Sequence, residues 1–227
     1  MNLKNKIVVI TGGSKGLGKA LALEFLKEKA KVIINARSEK EVQKASREIG
    51  TIGCSGDVTK EKDMQKLANF AVKKFGKVDV WINNAGISIT HLSIEKVDSR
   101  QAHEVMEVNF FGTFYGSRSA MKYMKKQKHG TIMNIISSRA LIPSPRSSIY
   151  SSSKWAVRGF TGLLRKALKP ENISVIAVYP FGMKTSFFGK VKPVGYKNYM
   201  EPSFVAQKIV QNLKHQKPKE EIIIKRK

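Results

Sequence analysis

Lys6-Ile7-Val8-Val9-Ile10-Thr11-Gly12-Gly13-Ser14-Lys15-Gly16-Leu17-Gly18 is the stretch on which the fold turns. Four apolar residues in a row, too few for a helix and flanked by a glycine cluster, read as a short buried strand. The glycines close it, and a segment of helical period over residues 21–29 follows, then a second apolar run over 31–35. That is a β-α-β unit. The same rhythm continues outward: strands near 51–55 and 78–82, a helix near 60–74, and a long helix over 99–126. The second half repeats it, with strands at 130–137, 173–179 and 221–224 and helices at 149–168 and 202–214. Parallel neighbours need crossovers and helices supply them, so seven strands alternating with helices predict one doubly wound α/β domain over 1–227, a mostly parallel sheet covered on both faces. Ligands in such sheets bind beyond the carboxyl ends of the strands. The one long irregular stretch, 181–201, with Gly182, Gly189, Pro193 and Gly195, reads as a flap on the substrate side.

Composition narrows the class. A chain of 227 residues with 41% hydrophobic content is globular in character. The single cysteine, Cys54, has no partner for an internal disulfide, and no Cys/His set has metal-ligand spacing, so no metal is expected and a reducing compartment, the cytoplasm, is. The apolar run at 7–10 is too short for a signal peptide, and no stretch reaches the roughly 18 apolar residues that cross a bilayer, so membrane insertion is not expected. The net charge of +25 is unusual. It is spread along the chain with acids interleaved, which suits a solvated surface; it also suits attraction of nucleic acid, an acidic acyl carrier or another anionic partner.

At the first turn, glycines let backbone amides approach a pyrophosphate while the helix N-terminus adds partial positive charge. A tight turn without a ligand gives the same pattern, and the spacing departs from G-x-G-x-x-G. The second strand ends at Asn35-Ala36-Arg37. An acid there would bind a ribose 2′-hydroxyl; an arginine suits a 2′-phosphate. Arg37, with Lys15 in the glycine loop, therefore favours NADP(H) over NAD(H), the alternative being two surface cations. Gly56-Asp57-Val58 sets a carboxylate where it meets an adenine amino group or caps a helix. Asn83-Asn84-Ala85-Gly86 offers small and amide side chains after the fourth strand.

At the other end, Tyr150-Ser151-Ser152-Ser153-Lys154 puts a phenol and an ammonium four apart at a helix start, hence on one face. A neighbouring cation favours the phenolate and so suits tyrosine to acid-base work. Ser137, ending a strand thirteen residues earlier, is placed to donate to a substrate oxygen, and Asn109 sits mid-helix, where a buried amide needs a partner or a water.

Taken together, TGGSKGLG, Gly56-Asp57, NNAG, Asn109 in VNFFGTF, GTIMNIIS, YSSSK and the end of a P-x-G-x-x-T segment resemble the short-chain dehydrogenase/reductase family over essentially the whole chain. The resemblance implies a Rossmann-type domain and hydride transfer between nicotinamide and a carbonyl or alcohol carbon. In it, Tyr150 exchanges a proton with the substrate oxygen. Lys154 lowers the phenol pKa and binds the nicotinamide ribose, Ser137 polarises the substrate, and Asn109 holds a water in the proton path. It implies cofactor contacts from Gly12, Ser14, Lys15, Gly16, Leu17, Gly18, Arg37, Asp57, Val58, Asn84, Ala85, Gly86, Tyr150, Lys154, Pro180, Gly182 and Thr185. Homodimers or tetramers built on the helices after the fourth and fifth strands are implied as well; Phe110, Phe111, Phe114 and Tyr115 either supply apolar surface for that or belong to the core. The chain departs from the family at Phe181, where a glycine usually follows the proline; a bulky ring there is expected to narrow or rearrange the nicotinamide pocket. Phe181, Phe187, Phe188, Tyr196 and Tyr199 either line an apolar substrate pocket, suited to ketones, aldehydes or 3-oxoacyl chains, or pack the flap down. The alternative function is a non-catalytic dinucleotide sensor or nucleic-acid binder on the same fold.

Overall fold

A computed structural model describes residues 1–226 apart from 90–93, 143, 145, 146, 189–191 and 194. His91 and Gly189 lie outside the described residues.

The strands are β1 (Ile7–Ile10), β2 (Lys31–Ala36), β3 (Ile52–Ser55), β4 (Val80–Asn83), β5 (Gly130–Ile135), β6 (Ile173–Pro180) and β7 (Glu221–Ile224). They form one sheet in the order β3-β2-β1-β4-β5-β6-β7, every pair parallel. The order reverses between β1 and β4, and the ends of those two strands open the crevice in which a doubly wound sheet binds its ligand. β1, β2 and β4 to β6 are buried almost throughout because helices cover both faces, which is why they are apolar runs rather than alternating patterns.

Helices α1 (Gly16–Lys27), α2 (Glu39–Ile49) and α7 (Pro202–Lys214) cover one face; α3 (Glu61–Phe75), α5 (Gly112–Gln127) and α6 (Ser148–Leu168) cover the other. α4 (Ser99–Met106) leads into α5. Val8, Ile10, Ile34 and Phe25 pack in the first layer, and Val9, Ile33, Trp81 and Ile132 in the second, as the two-residue period of a strand requires. No described helix is long and apolar enough to cross a membrane.

Two elements differ from the sequence reading. α2 has no place in it, because only Val42, Ala45 and Ser46 of its eleven residues are buried and the apolar signal is thin. The long helix over 99–126 is interrupted by a π-helical turn, Glu107–Phe111, which takes Asn109 fully out of solvent. Such a turn shifts the backbone ladder by one residue while leaving the side-chain period nearly unchanged, so the pattern of apolar residues does not reveal it.

Candidate active site

The cofactor end is made mostly of backbone. Gly12 has φ +63° and Gly16 φ +55°, left-handed conformations that favour glycine. Gly18 answers a different constraint: a Cβ there would stand 2.2 Å from the Gly12 carbonyl oxygen and 2.6 Å from Asn84 Nδ2. α1 begins at Gly16, and its N-cap, the exposed Lys15, makes no side-chain cap, so among the described residues no side chain satisfies the N–H groups of the first turn. Leu17 offers only its backbone there, since its side chain is core.

β4 is laced to this loop. Thr11 Oγ1 accepts from Asn84 N at 3.0 Å and Ala85 N at 3.1 Å, and Asn84 Nδ2 donates to the Thr11 and Gly12 carbonyls at 2.9 and 3.1 Å. The Asn84 amide is thus spent holding the loop in shape. Asp57 Oδ1 accepts from Thr59 N at 3.0 Å and Thr59 Oγ1 at 2.9 Å, so the carboxylate caps the turn into α3; Val58 packs beneath Gly112. Arg37 is exposed after β2 and unpaired among the described residues. Glu39, two residues on in the chain, is turned to Ser55 and Gln43.

The catalytic end is made of side chains. Tyr150 lies in the first turn of α6, partly exposed, with Phe187 edge-on at 5.7 Å. Burial pushes the phenol pKa up, against a hydrogen bond with Ser137 and the positive charge of Arg139, which pull it down. Ser137 Oγ also accepts from Arg139 N at 3.1 Å. Lys154 is 4% exposed, donates to the Ile135 carbonyl at 3.0 Å, and stands 5.8 Å from the centre of the Tyr150 ring. Burial holds its pKa down at about 8. The expected depression of the phenol by Lys154 is therefore not the governing influence; desolvation of both groups is.

Asn109 Oδ1 accepts from Ile87 N at 2.9 Å, while its amide protons go to the Ile87 carbonyl at 3.0 Å and Ser153 Oγ at 2.9 Å. Ser153 in turn donates to the Tyr150 carbonyl at 2.7 Å. The sequence reading passed over Ser153; its spacing three residues after Tyr150 on one helix was the available signal. A Cβ on Gly86 would meet Asn109 Oδ1 at 3.2 Å and Lys154 Nζ at 3.6 Å, so the loop after β4 converges on the same cluster.

The segment after β6 closes the site. Thr185 reaches the glycine loop, 3.4 Å from where a Gly16 Cβ would stand, and its carbonyl accepts from Tyr196 Oη at 3.2 Å. Pro180 ends β6 opposite Ile224, and Phe181 N donates to the Ile224 carbonyl at 2.9 Å. Phe181 is partly buried and packs against the core cluster that includes residues of the sheet, α1, α2 and α7. Gly182 matters more: the Tyr199 ring lies where its Cβ would be, at 2.6 Å. The flap aromatics Phe187, Phe188, Tyr196 and Tyr199 stack on one another, and Phe187 alone among them reaches Tyr150.

A glycine-cradled helix N-terminus thus stands at the strand-order switch, with a serine, a tyrosine and a lysine beyond the neighbouring strand end. The chain belongs to the short chain dehydrogenase family, whose profile matches residues 6–194. It is 32% identical over 221 residues, 92% of this chain and 89% of the relative, to an uncharacterized oxidoreductase of Staphylococcus saprophyticus. Among solved structures, it superposes on a 3-ketoacyl-(acyl-carrier-protein) reductase from Brucella melitensis complexed with NADH, with TM-score 0.92 and 26% identity, covering 98% of this chain and 97% of that one. An alcohol dehydrogenase from the archaeon Thermococcus sibiricus complexed with 5-hydroxy-NADP aligns with TM-score 0.86 and 25% identity, covering 96% and 95%.

Proposed function

We propose that the chain is an NADP(H)-dependent oxidoreductase acting on a carbonyl or alcohol carbon of a small substrate with an apolar body, a ketone, aldehyde or 3-oxoacyl compound, with Tyr150 as general acid and base. The observation that carries this reading is the buried Lys154 ammonium 5.8 Å from the centre of the Tyr150 ring, with Ser137 beside the phenol. When bound, the dinucleotide supplies or accepts the hydride. The uncapped N–H groups of the α1 first turn fit its pyrophosphate, and Arg37 with Lys15, both exposed and unpaired among the described residues, fit a 2′-phosphate. Ser14, Gly86, Pro180, Gly182 and Thr185 complete the cofactor contacts in this reading, with Thr185 beside Gly16, and the second oxygen of Asp57 is left for the adenine.

Within that reading Ser137 Oγ and Tyr150 Oη both hold the substrate oxygen. A phenol with a raised pKa is protonated near neutral pH, so Tyr150 hands its proton to that oxygen as a carbonyl is reduced and takes one back in the reverse direction. Lys154, charged below about pH 8, stabilises the phenolate left behind. Asn109 acts as a positioning residue through Ile87 and Ser153; its second Oδ1 lone pair is what remains to hold a water.

The outer face of α6 supports association into a dimer or tetramer: Trp155 and Leu163, 45% and 70% exposed, flank Gly159, where nothing approaches within 4 Å. They stand on one helical stripe. Phe111, at the end of the π-turn before α5, is exposed, whereas Phe110, Phe114 and Tyr115 are partly buried. A nucleic-acid binder has no use for the Ser137, Tyr150 and Lys154 cluster, so that alternative is not favoured. The test is NADPH oxidation in the presence of aryl aldehydes and ketones. Turnover that Tyr150→Phe abolishes is the expected result; turnover that survives Tyr150→Phe rejects the assignment of the acid.

A further inference from the structure

Of the lysines and arginines that the fold takes wholly or partly out of solvent, all but one among the described residues have a partner. Lys6 and Lys77 sit on Asp79, Lys19 on Glu48, Lys184 on Glu201, and Arg165 on Glu220 and Glu221. Arg158 donates to the Ala140 carbonyl and Lys154 to that of Ile135. Arg139 is the exception: it is partly buried, yet its guanidinium makes neither an ion pair nor a hydrogen bond among the described residues. Withdrawing a charge from water without a partner is costly, and the other unpaired cations among the described residues of this +25 chain lie on the surface.

Its position is as particular as its isolation. Arg139 is the middle residue of the 3₁₀ turn Ser138–Ala140, directly after β5. Its N–H is held by Ser137 Oγ at 3.1 Å, and the turn's last carbonyl is held by Arg158 at 2.9 Å. The backbone beneath the guanidinium is thereby fixed from both sides, and its charge acts on the Tyr150 phenol. Dinucleotide phosphates do not account for it. They belong to the ends of β1 and β2, and β4 stands between those strands and β5.

We infer that Arg139 is a receptor for an acidic group on the substrate, a carboxylate or phosphate, which pairs with the guanidinium while the reacting oxygen lies between Ser137 and Tyr150. The inference rests on the carbonyl-oxidoreductase reading above and names the substrate class for it: oxo or hydroxy acids and phosphates. A guanidinium fork matches the geometry of either oxyanion. The edge of Phe187 beside Tyr150 adds an aromatic wall, so aryl acids are suitable probes.

The test is calorimetric titration of the NADPH-saturated protein with benzoate, phenyl phosphate and neutral benzamide, on wild type, Arg139→Gln and Arg139→Lys. In wild type an anion binds on the order of tenfold tighter than benzamide, the scale of a charge-assisted hydrogen bond. Arg139→Gln removes that preference and Arg139→Lys keeps part of it, with thermal melts of each variant verifying the fold. Whether benzoate or phenyl phosphate binds tighter identifies the acid. Anions that bind no better than benzamide in wild type, undetectable binding of all three, or a preference that survives Arg139→Gln, overturns the inference. Reduction of para-formylbenzoate and its methyl ester is measured alongside. Equal use of both leaves the oxidoreductase reading standing without this one; anion binding through Arg139 with neither aldehyde reduced does the opposite.

Discussion

The two ends of the site are built on opposite principles. At the glycine loop the sequence specifies absence: no side chain at Gly12 or Gly18, and helix N–H groups left uncapped. At Tyr150 and Lys154 it specifies presence, two titratable groups, one partly exposed and one buried, with their pKa values moved by desolvation. A backbone site is preorganised by sterics and fails by collision. A site of buried charge is held against its own desolvation cost, so it fails chemically before it fails structurally.

This contrast is open to direct attack. The largest effect is expected from Tyr150→Phe, which removes the acid and leaves the loop intact. Turnover falls by about a thousandfold, in the range of general acid-base catalysis, while dinucleotide affinity changes little. Comparable losses in both would mean that the two ends are not separable. Gly18→Ala attacks the other principle. Its Cβ meets the Gly12 carbonyl at 2.2 Å, so both the melting temperature and dinucleotide affinity drop, with an overpacking cost of about 3 kcal/mol. Unchanged melting would show that the loop has slack.

Lys154→Met separates the ends further. The ammonium has its pKa lowered to about 8 from 10.5, so the folded state holds fewer protons than the unfolded chain between those values. Stability of the dinucleotide-free protein therefore rises with pH across that window, and the buried charge is a burden below it. The variant melts higher than wild type at pH 7, by at most about 3 kcal/mol, and the advantage fades toward pH 10.5. Its turnover is lost. A variant less stable than wild type at pH 7 would assign Lys154 a structural role through the Ile135 carbonyl. In wild type, reduction slows as pH rises through about 8 and the ammonium discharges.

The same contrast governs what could be read from the sequence. The strands were legible because burial on both faces leaves apolar runs, and the glycine loop because only one residue type meets its steric demand. Tyr150, Lys154 and Ser137 stand at readable spacings. What escaped depends on hydrogen-bond connectivity or on surroundings. The π-turn at Asn109 keeps a helical pattern, and α2 has only three apolar residues, Val42, Ala45 and Ile49, among its eleven. Phe181 is conspicuous in the sequence, yet its ring packs on the core, and that depends on β7 lying alongside through the Ile224 carbonyl. Arg139 looks like one cation among 42 until its neighbours are known.

The central claim, that one NADP(H) molecule spans both ends, is tested most directly by titrating wild type and Arg37→Ala with NADPH and NADH while following nicotinamide fluorescence. The account predicts saturable binding to wild type, about tenfold tighter for NADPH, with that preference lost in Arg37→Ala because a single arginine–phosphate pair is removed. Equal affinity of wild type for the two dinucleotides, or failure to bind either, would contradict it.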